Sequence, residues 1–188
     1  TPLTRLKLQL ALLKQQDLAK KMSDDIEEME RMLNEYLEFA RHQKSEETEL
    51  INLNHIIKDI TKKYETQQIK LFLEESSKIN IRPNSIKRCL GNLIDNALAY
   101  GKKAEIFTKN TMNNIIILID DDGPGIPENE YQNVLKPFYR IDKSRGQNKS
   151  GVGLGLSIAN DIIRSHGGNI SLEKSPLSGL RVKVSLPY

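Results

Sequence analysis

The sequence predicts an α+β protein in which a helical hairpin precedes an α/β sandwich. Over residues 1–43, apolar residues recur at heptad spacing, which is typical of helices packed against helices. Over residues 50–188, short strand patterns alternate with helical patterns, which is typical of a sheet covered by helices. A charge-rich run from Arg41 to Glu49 separates the two patterns, and residues 44–49 are predicted to be a linker.

The composition is that of a globular protein and argues against several functional classes. There are 28 Lys and Arg residues and 25 Asp and Glu residues, with the two signs interleaved, so no binding of nucleic acid is expected. The single cysteine, Cys89, can form neither an internal disulfide nor a cysteine metal site. No apolar run approaches the ~18 residues of a membrane span, so we expect neither a membrane span nor a signal peptide within residues 1–188.

The hairpin carries an apolar seam on each of its two arms. The seam of the first arm is Leu3, Leu6, Leu10 and Leu13, and that of the second is Met22, Ile26, Met29, Leu33, Tyr36 and Ala40. Two helices cannot bury both seams alone, so we expect a homodimer through residues 1–43 in which two hairpins form an antiparallel four-helix bundle. The alternative is a hairpin folded back on its own globular domain. Because the sequence begins at Thr1 without a methionine and already in a helical pattern, we expect it to be a piece of a longer protein.

Residues 50–188 are predicted to form a mixed sheet backed by helices on one face. Ile51 and Leu53 suggest a short strand, and the helix that follows would be capped by Asn52 or Asn54. The run at residues 115–120 is nearly all apolar, so that strand is expected to be central in its sheet. The other predicted strands are residues 69–73, 78–81, 104–108, 170–173 and 180–186, and the main helices are residues 83–99 and 154–165.

The first polar cluster lies within a predicted helix and reads NLIDNALAYG over residues 92–101. Asn92 and Asn96 are one turn apart, so both amides project from the same side of the helix, and Tyr100 continues that stripe. An amide oxygen can complete a Mg²⁺ coordination shell whose other members are phosphate oxygens and water. The alternative is a pair of solvent-facing amides.

The second cluster, DDGPG at residues 121–125, follows the apolar strand. The Asp121 carboxylate can accept a hydrogen bond from the exocyclic amine of adenine, whereas the keto oxygen of guanine would meet it acceptor to acceptor. Gly123 and Gly125 would let the backbone turn sharply and approach a base. An acidic turn after a strand is the alternative interpretation.

The third cluster, GVGLGL at residues 151–156, precedes a helix. Backbone N–H groups of Gly151, Gly153 and Gly155 could face phosphate oxygens at the positive end of the helix dipole. The preceding residues 144–150 are polar and are predicted to form a mobile lid. The cluster is neither a Walker loop nor a Rossmann fingerprint.

A fourth motif, KPFYR at residues 136–140, lies between the second and third clusters. Phe138 could pack at the base of the lid, and Arg140 could offer a charge to the site. A core aromatic beside a solvated arginine is an equally compatible interpretation.

Together, these motifs resemble the catalytic domain of sensor histidine protein kinases. NLIDN is similar to the N box, DDGPG to the G1 box, KPFYR to the F box and GVGLGL to the G2 box. TPLTR at residues 1–5 resembles the segment just after the phosphoacceptor histidine in the helical dimerisation domain of the EnvZ-like subfamily. The resemblance covers nearly the whole chain and implies the Bergerat ATP-binding fold, which is shared with gyrase, the Hsp90 chaperone and MutL.

The resemblance also implies roles for individual residues. Asn96 would be the Mg²⁺ ligand and Asn92 would lie close to the phosphates of ATP. Tyr100 would lie against the adenine, whose amine Asp121 would bind. The remaining residues implied to bind the nucleotide are Gly123, Gly125, Phe138, Arg140, Gly151, Gly153, Leu154 and Gly155. Thr1 would match the threonine that helps to orient water when the family dephosphorylates its response regulator.

The sequence departs from the family pattern in two places. The phosphoacceptor histidine and its acidic neighbour would lie four and three positions before Thr1, and none of His42, His55 or His166 is placed to replace that histidine. Ala99 occupies a position where many relatives carry Lys or Arg near the phosphates.

The function implied is that of an ATP-dependent protein histidine kinase of a two-component system, with ATP and Mg²⁺ as ligands. An upstream histidine would take the γ-phosphoryl group and pass it to an aspartate of a response-regulator receiver domain. The chain would be the cytoplasmic portion of a bacterial inner-membrane sensor, reaching the membrane only through upstream segments. Two alternatives stay open: a degenerate, nucleotide-gated interaction module without phosphotransfer, and a Bergerat-fold ATPase, whose catalytic glutamate would lie in the N-box helix, where this chain offers Asn92 and Asp95.

Overall fold

The computed structural model describes residues 46–64, 68–75, 78–141 and 153–188, together with separate positions between residues 20 and 37. Contacts divide the chain into two compact units, residues 1–44 and residues 45–188. The described positions of the first unit are helical, with Ile26 buried and Met22, Met29 and Leu33 exposed. The predicted first arm, Thr1, the lid at residues 144–150 and Gly151 lie outside the described residues. No helix in the described part of the chain is long and apolar enough to cross a membrane.

The second unit is an α/β sandwich. Its elements in chain order are β1 (Glu49–Asn52), α1 (Leu53–Thr61), β2 (Ile69–Leu73), β3 (Lys78–Ile81), α2 (Pro83–Tyr100), β4 (Ala104–Asn110), β5 (Asn114–Asp121), α3 (Gly155–Ser165), β6 (Asn169–Lys174) and β7 (Leu180–Pro187). Five strands form a mixed sheet in the order β2-β4-β5-β7-β6. Strands β2 and β4 are parallel, and the other neighbours in this sheet are antiparallel.

The core lies where α2 and α3 pack on each other and on the sheet. Strand β5 is central, as the apolar run predicted, and its alternate residues Ile115, Ile117 and Ile119 are almost completely buried. Buried residues of α2 recur at helical spacing, which gives that helix one apolar stripe. Its neighbouring polar stripe is thereby fixed at the edge of the core, where a site can form.

The start of α2 is held from outside the helix. Pro83 occupies the first turn, and the residue at the N-cap position, Arg82, makes no side-chain capping bond. Instead, the Glu46 carboxylate accepts hydrogen bonds from Asn84 N at 2.5 Å, Ser85 N at 3.0 Å and Ser85 Oγ at 2.7 Å. Glu46 therefore satisfies backbone N–H groups that a helix start otherwise leaves open.

Several sequence-based boundaries differ from the structure. Leu53, predicted to lie in a strand, is the first residue of α1 and is fully buried, and Asn52 caps that helix by accepting Asn54 N at 2.9 Å. Helix α3 begins at Gly155, so Leu154 is its N-cap residue. Glu46 and Glu49, both within the predicted linker, belong to the second unit, because one binds the start of α2 and the other begins β1.

Candidate functional site

Helix α2 carries the two asparagines of the first cluster. Asn92 and Asn96 are half-buried beside the apolar stripe. The Asn92 amide donates a hydrogen bond to Gly155 O over 3.4 Å, which joins the middle of α2 to the first residue of α3. The first and third sequence clusters therefore meet in space.

Asp121 lies at the end of β5 and is 4% exposed. Its Oδ1 accepts hydrogen bonds from Gly123 N at 2.8 Å and Leu180 N at 3.1 Å. Burial raises the pKa of this carboxyl, and the two backbone hydrogen bonds oppose that shift. The neighbouring Asp120 faces the other way and forms a bidentate pair with Arg181, both distances being 2.7 Å. The two consecutive carboxylates therefore have separate partners on opposite sides of the sheet.

The turn between β6 and β7 supports Asp121, a role that no motif in the sequence indicates. Gly179 is buried there, and a Cβ at this position would overlap Oδ1 and O of Asp121 and lie 2.6 Å from Gly123 N. Gly179 O accepts Ser175 N at 2.9 Å, so this turn has its own hydrogen bond. A glycine before an apolar strand is too common in sequences to have marked Gly179 as part of a site.

The C-terminal end of α2 meets the second cluster. A Cβ at Gly123 would lie 3.0 Å from Tyr100 O, so the two segments are in close contact. Asp122 accepts Lys102 N at 2.6 Å and Lys103 N at 2.8 Å, both on Oδ1, which ties the residues after α2 to the DDGPG turn. Tyr100 is 46% exposed at this junction. An exposed aromatic ring is suited to stacking on a planar ligand.

The KPFYR and GVGLGL motifs also meet. Phe138 N donates to Gly153 O at 3.0 Å, and a Cβ at Gly153 would lie 3.1 Å from Tyr139 O. Both Phe138 and Gly153 have positive φ, 64° and 73°. Phe138 is 53% exposed, which excludes the core-aromatic interpretation of the sequence, whereas Leu154 is buried and Arg140 is half-buried.

Other residues considered from the sequence are exposed or already have hydrogen-bond partners. Asp95, the alternative acid of α2, accepts the Tyr64 hydroxyl at 2.5 Å and lies 3.6 Å from Lys63 Nζ. His55 and Ala99 are exposed. His166 is half-buried at the end of α3, where its Nε2 accepts Arg82 N at 3.1 Å and its Nδ1 lies 2.7 Å from Ile162 O. His42 lies outside the described residues.

Comparison with known proteins agrees with this geometry. A family model for histidine kinase-, DNA gyrase B- and HSP90-like ATPases matches residues 81–188. Over its whole length the chain is 35% identical to the sensor histidine kinase GtrS of Pseudomonas aeruginosa and 33% identical to the sensor histidine kinase CpxA of Escherichia coli K12. It spans 39% and 44% of the lengths of these two relatives.

A solved structure gives the same result. The histidine kinase domain of the Escherichia coli osmosensor EnvZ is 30% identical, with a TM-score of 0.58, and the match covers 77% of this chain and 91% of that one. The Bergerat-type sandwich and the family resemblance predicted from the sequence are thus confirmed. The chain belongs to the histidine kinase-, DNA gyrase B- and HSP90-like ATPase family, and within it to the sensor histidine kinases.

Proposed function

We propose that residues 45–188 bind Mg-ATP in the pocket formed along α2. The observation that carries this proposal is the convergence of four separated motifs, of which the first is part of α2, two contact that helix and the fourth contacts the loop before α3. The DDGPG turn contacts its C-terminal end, the start of α3 contacts Asn92, and KPFYR contacts the loop before α3. Such an arrangement places backbone N–H groups, amides and one buried carboxylate around a single space, as a polar ligand with a planar base requires.

The Asp121 carboxylate fits an adenine amine. Both backbone donors bind Oδ1, and no residue in the described part of the chain donates to Oδ2, which leaves this oxygen to accept the amine. Guanine would present an acceptor instead, and a buried acceptor pair without a donor costs about 1–3 kcal/mol. We therefore expect ATP to bind in preference to GTP.

Asn96 is suited to hold a magnesium ion, since its neutral amide oxygen is a hard ligand. Asn92 is already oriented toward the start of α3, where Gly153, Leu154 and Gly155 would bind phosphate through their backbone at the helix N-terminus. A bound Mg²⁺ would offset charge on the phosphates. Tyr100 would cover the base, and Phe138 and Arg140 would lie beside the phosphate loop.

In the longer protein, we propose that the γ-phosphoryl group passes to a histidine upstream of Thr1. The imidazole nitrogen forms a bond to phosphorus while the bond to the β-phosphate oxygen breaks and ADP leaves. Positioning and charge stabilisation supply most of the catalysis in such transfers. An aspartate of a response regulator then accepts the phosphoryl group as the bond between phosphorus and the imidazole nitrogen breaks. Thr1 would help to orient water when that aspartyl phosphate is hydrolysed. Homodimerisation through residues 1–43 is supported by Met22, Met29 and Leu33, which the single chain leaves exposed. We also propose that this chain is the cytoplasmic part of a membrane-anchored sensor.

Calorimetric titration of the chain with ATP and GTP, with and without Mg²⁺, tests the proposal. Asp121→Asn should weaken ATP binding at least tenfold, because its amide can turn a donor toward the amine. Asn96→Ala should remove most of the benefit of Mg²⁺. The matched controls are Asp161→Asn on the exposed side of α3 and Asn113→Ala in the β4–β5 turn, which should bind ATP like the unchanged chain. If the unchanged chain does not bind ATP, the interaction-module interpretation replaces this one.

A further inference from the structure

A hydrogen-bonded acid lies on α2 between the two asparagines of the site, and the proposed function gives it no role. Asp95 follows Asn92 by three residues and precedes Asn96 by one. On a helix of 3.6 residues per turn, Asp95 is therefore about 60° around the axis from Asn92 and about 100° from Asn96. Its carboxylate is attached within one turn of both amides.

The charge of Asp95 is opposed to the proposed ligand. Its side chain is 58% exposed, so an ionised carboxylate at this position can take several rotamers. Rotamers that lean toward Asn92 would bring a negative charge close to the phosphates of ATP. Such a charge would weaken binding by Coulomb repulsion, which solvent screens only in part at this range.

The structure shows what holds this carboxylate. Tyr64, three residues beyond the end of α1, donates its hydroxyl to Asp95 Oδ1 at 2.5 Å. Lys63 Nζ lies 3.6 Å from the same oxygen and 4.7 Å from the centre of the Tyr64 ring. Burial and the bond to Asp95 raise the pKa of the Tyr64 hydroxyl, so it remains a donor at neutral pH. Both contacts draw the Asp95 carboxylate toward the segment after α1.

We propose that Tyr64, assisted by Lys63, is a positioning residue that keeps the Asp95 carboxylate turned away from the phosphates of the bound nucleotide. The inference rests on the proposed function of the pocket. Tyr64 touches neither nucleotide nor metal and acts through Asp95. A different ion pair, Lys87 of α2 with Asp59 of α1 at 3.4 Å, lies two turns earlier on α2 and is not part of this arrangement.

The test compares Tyr64→Phe, Asp95→Asn and the double variant in titrations with ATP, with and without Mg²⁺. Tyr64→Phe keeps the ring and removes only the donor, so we expect ATP affinity to fall about threefold to tenfold, the size of a single partly screened charge. The loss should be larger without Mg²⁺, because the free nucleotide is more negative, and should shrink at high salt. Asp95→Asn alone should bind at least as tightly as the unchanged chain, and in the double variant it should restore the lost affinity.

A matched control is Tyr188→Phe, whose hydroxyl donates to Asn110 Oδ1 at 3.1 Å beside the opposite end of β5. This variant should leave ATP affinity unchanged. Unaltered affinity in Tyr64→Phe, or a double variant that binds no better than Tyr64→Phe, overturns the inference. If Tyr64→Phe does not fold, weaker binding in Asp95→Asn alone also overturns it. If the unchanged chain fails to bind ATP, both the proposed function and this inference fall. If it binds ATP and Tyr64→Phe binds equally well, only this inference falls.

Discussion

At the scale of single residues, Gly179 controls the geometry of the Asp121 carboxylate. Because a Cβ there would overlap Oδ1 and the backbone of Asp121, Gly179→Ala must move either the turn or the carboxylate. We expect the free energy of unfolding to fall by about 1–3 kcal/mol, as for other overpacked positions, and ATP affinity to fall at least tenfold. Chemical denaturation and titration would measure the two effects. Normal ATP affinity in a folded Gly179→Ala variant would contradict the steric argument.

Gly91 provides the opposite case with the same substitution. It lies in the middle of α2, and a Cβ there would meet no atom within 4 Å. A glycine in a helix interior is less stable than alanine by about 0.5–1 kcal/mol, so Gly91→Ala should raise the free energy of unfolding by that amount. The measurement is chemical denaturation beside Gly179→Ala. A loss of stability in both variants would show that the space around the added Cβ does not decide whether the free energy of unfolding rises or falls.

His166 should make stability depend on pH in the weakly acidic range. Burial lowers the pKa of this imidazole, and its Nε2 must stay unprotonated to accept Arg82 N. The groups that face it are the Arg82 guanidinium, which opposes protonation, the Glu46 carboxylate, which favours it, and the Ser165 hydroxyl on the same helix. Because the unfolded state binds the proton first, the stability that His166 contributes is full above pH ~6.5 and is lost as pH falls toward the folded pKa.

The variant His166→Gln can accept the same N–H but does not titrate. Unfolding measured between pH 7.5 and 5 should therefore show a smaller loss of stability on acidification in His166→Gln than in the unchanged chain. Identical pH profiles for the two proteins would show that His166 does not contribute.

At the scale of elements, α2 depends on a cap that comes from a distant part of the chain. Removing the Glu46 carboxylate in Glu46→Ala should cost about 1 kcal/mol, the usual loss for a helix N-cap. Partial burial raises the pKa of Glu46, but the hydrogen bonds from Ser85 and Asn84 outweigh it and hold that pKa below its ordinary value. The contribution is therefore present above pH ~4.5 and is lost as pH falls through the folded pKa.

The neighbouring residue supplies the control for this prediction. Glu47 is exposed and has the same charge, so Glu47→Ala should change the free energy of unfolding by less than about 0.5 kcal/mol. Denaturation of both variants at pH 7 would measure the difference. Equal effects would mean that net charge, and not the cap on α2, explains the loss.

The sequence predicted the elements that have long regular patterns. The spacing of buried residues in α2 and the apolar run of β5 were sufficient, because each pattern repeats several times. The prediction for Leu53 was wrong, because an apolar residue two positions after Ile51 fits both a strand and the first buried position of a helix. In the structure, the cap at Asn52 makes Leu53 the first residue of α1. The pairing of β1 with β3, and the Glu46 cap, involve segments about 30 to 40 residues apart, so no local pattern could show them.

The same limit applied to the site. Asp121, Gly123 and the two asparagines were marked by motifs of ten residues or fewer, within which local spacing is informative. Gly179 and Leu180 reach Asp121 only because β7 pairs with β5, a register that the sequence does not reveal. The contact between Tyr64 and Asp95 was missed in the same way, since the two residues are 31 positions apart.

At the scale of the whole molecule, the division after Lys44 allows the proposed dimerisation and the proposed ATP binding to be tested separately. Residues 45–188 form a compact unit that contains every described residue of the pocket as well as Glu46, the cap of α2. We expect this fragment to fold, to be monomeric and to bind ATP within about twofold of the whole chain, since every contact described above for the pocket lies within residues 45–188. The whole chain should be a dimer, because Met22, Met29 and Leu33 otherwise remain in water. Light scattering and titration of the two proteins would measure both properties. A monomeric whole chain would contradict dimerisation through residues 1–43, whereas a fragment that folds but has lost ATP binding would show that the first unit completes the pocket.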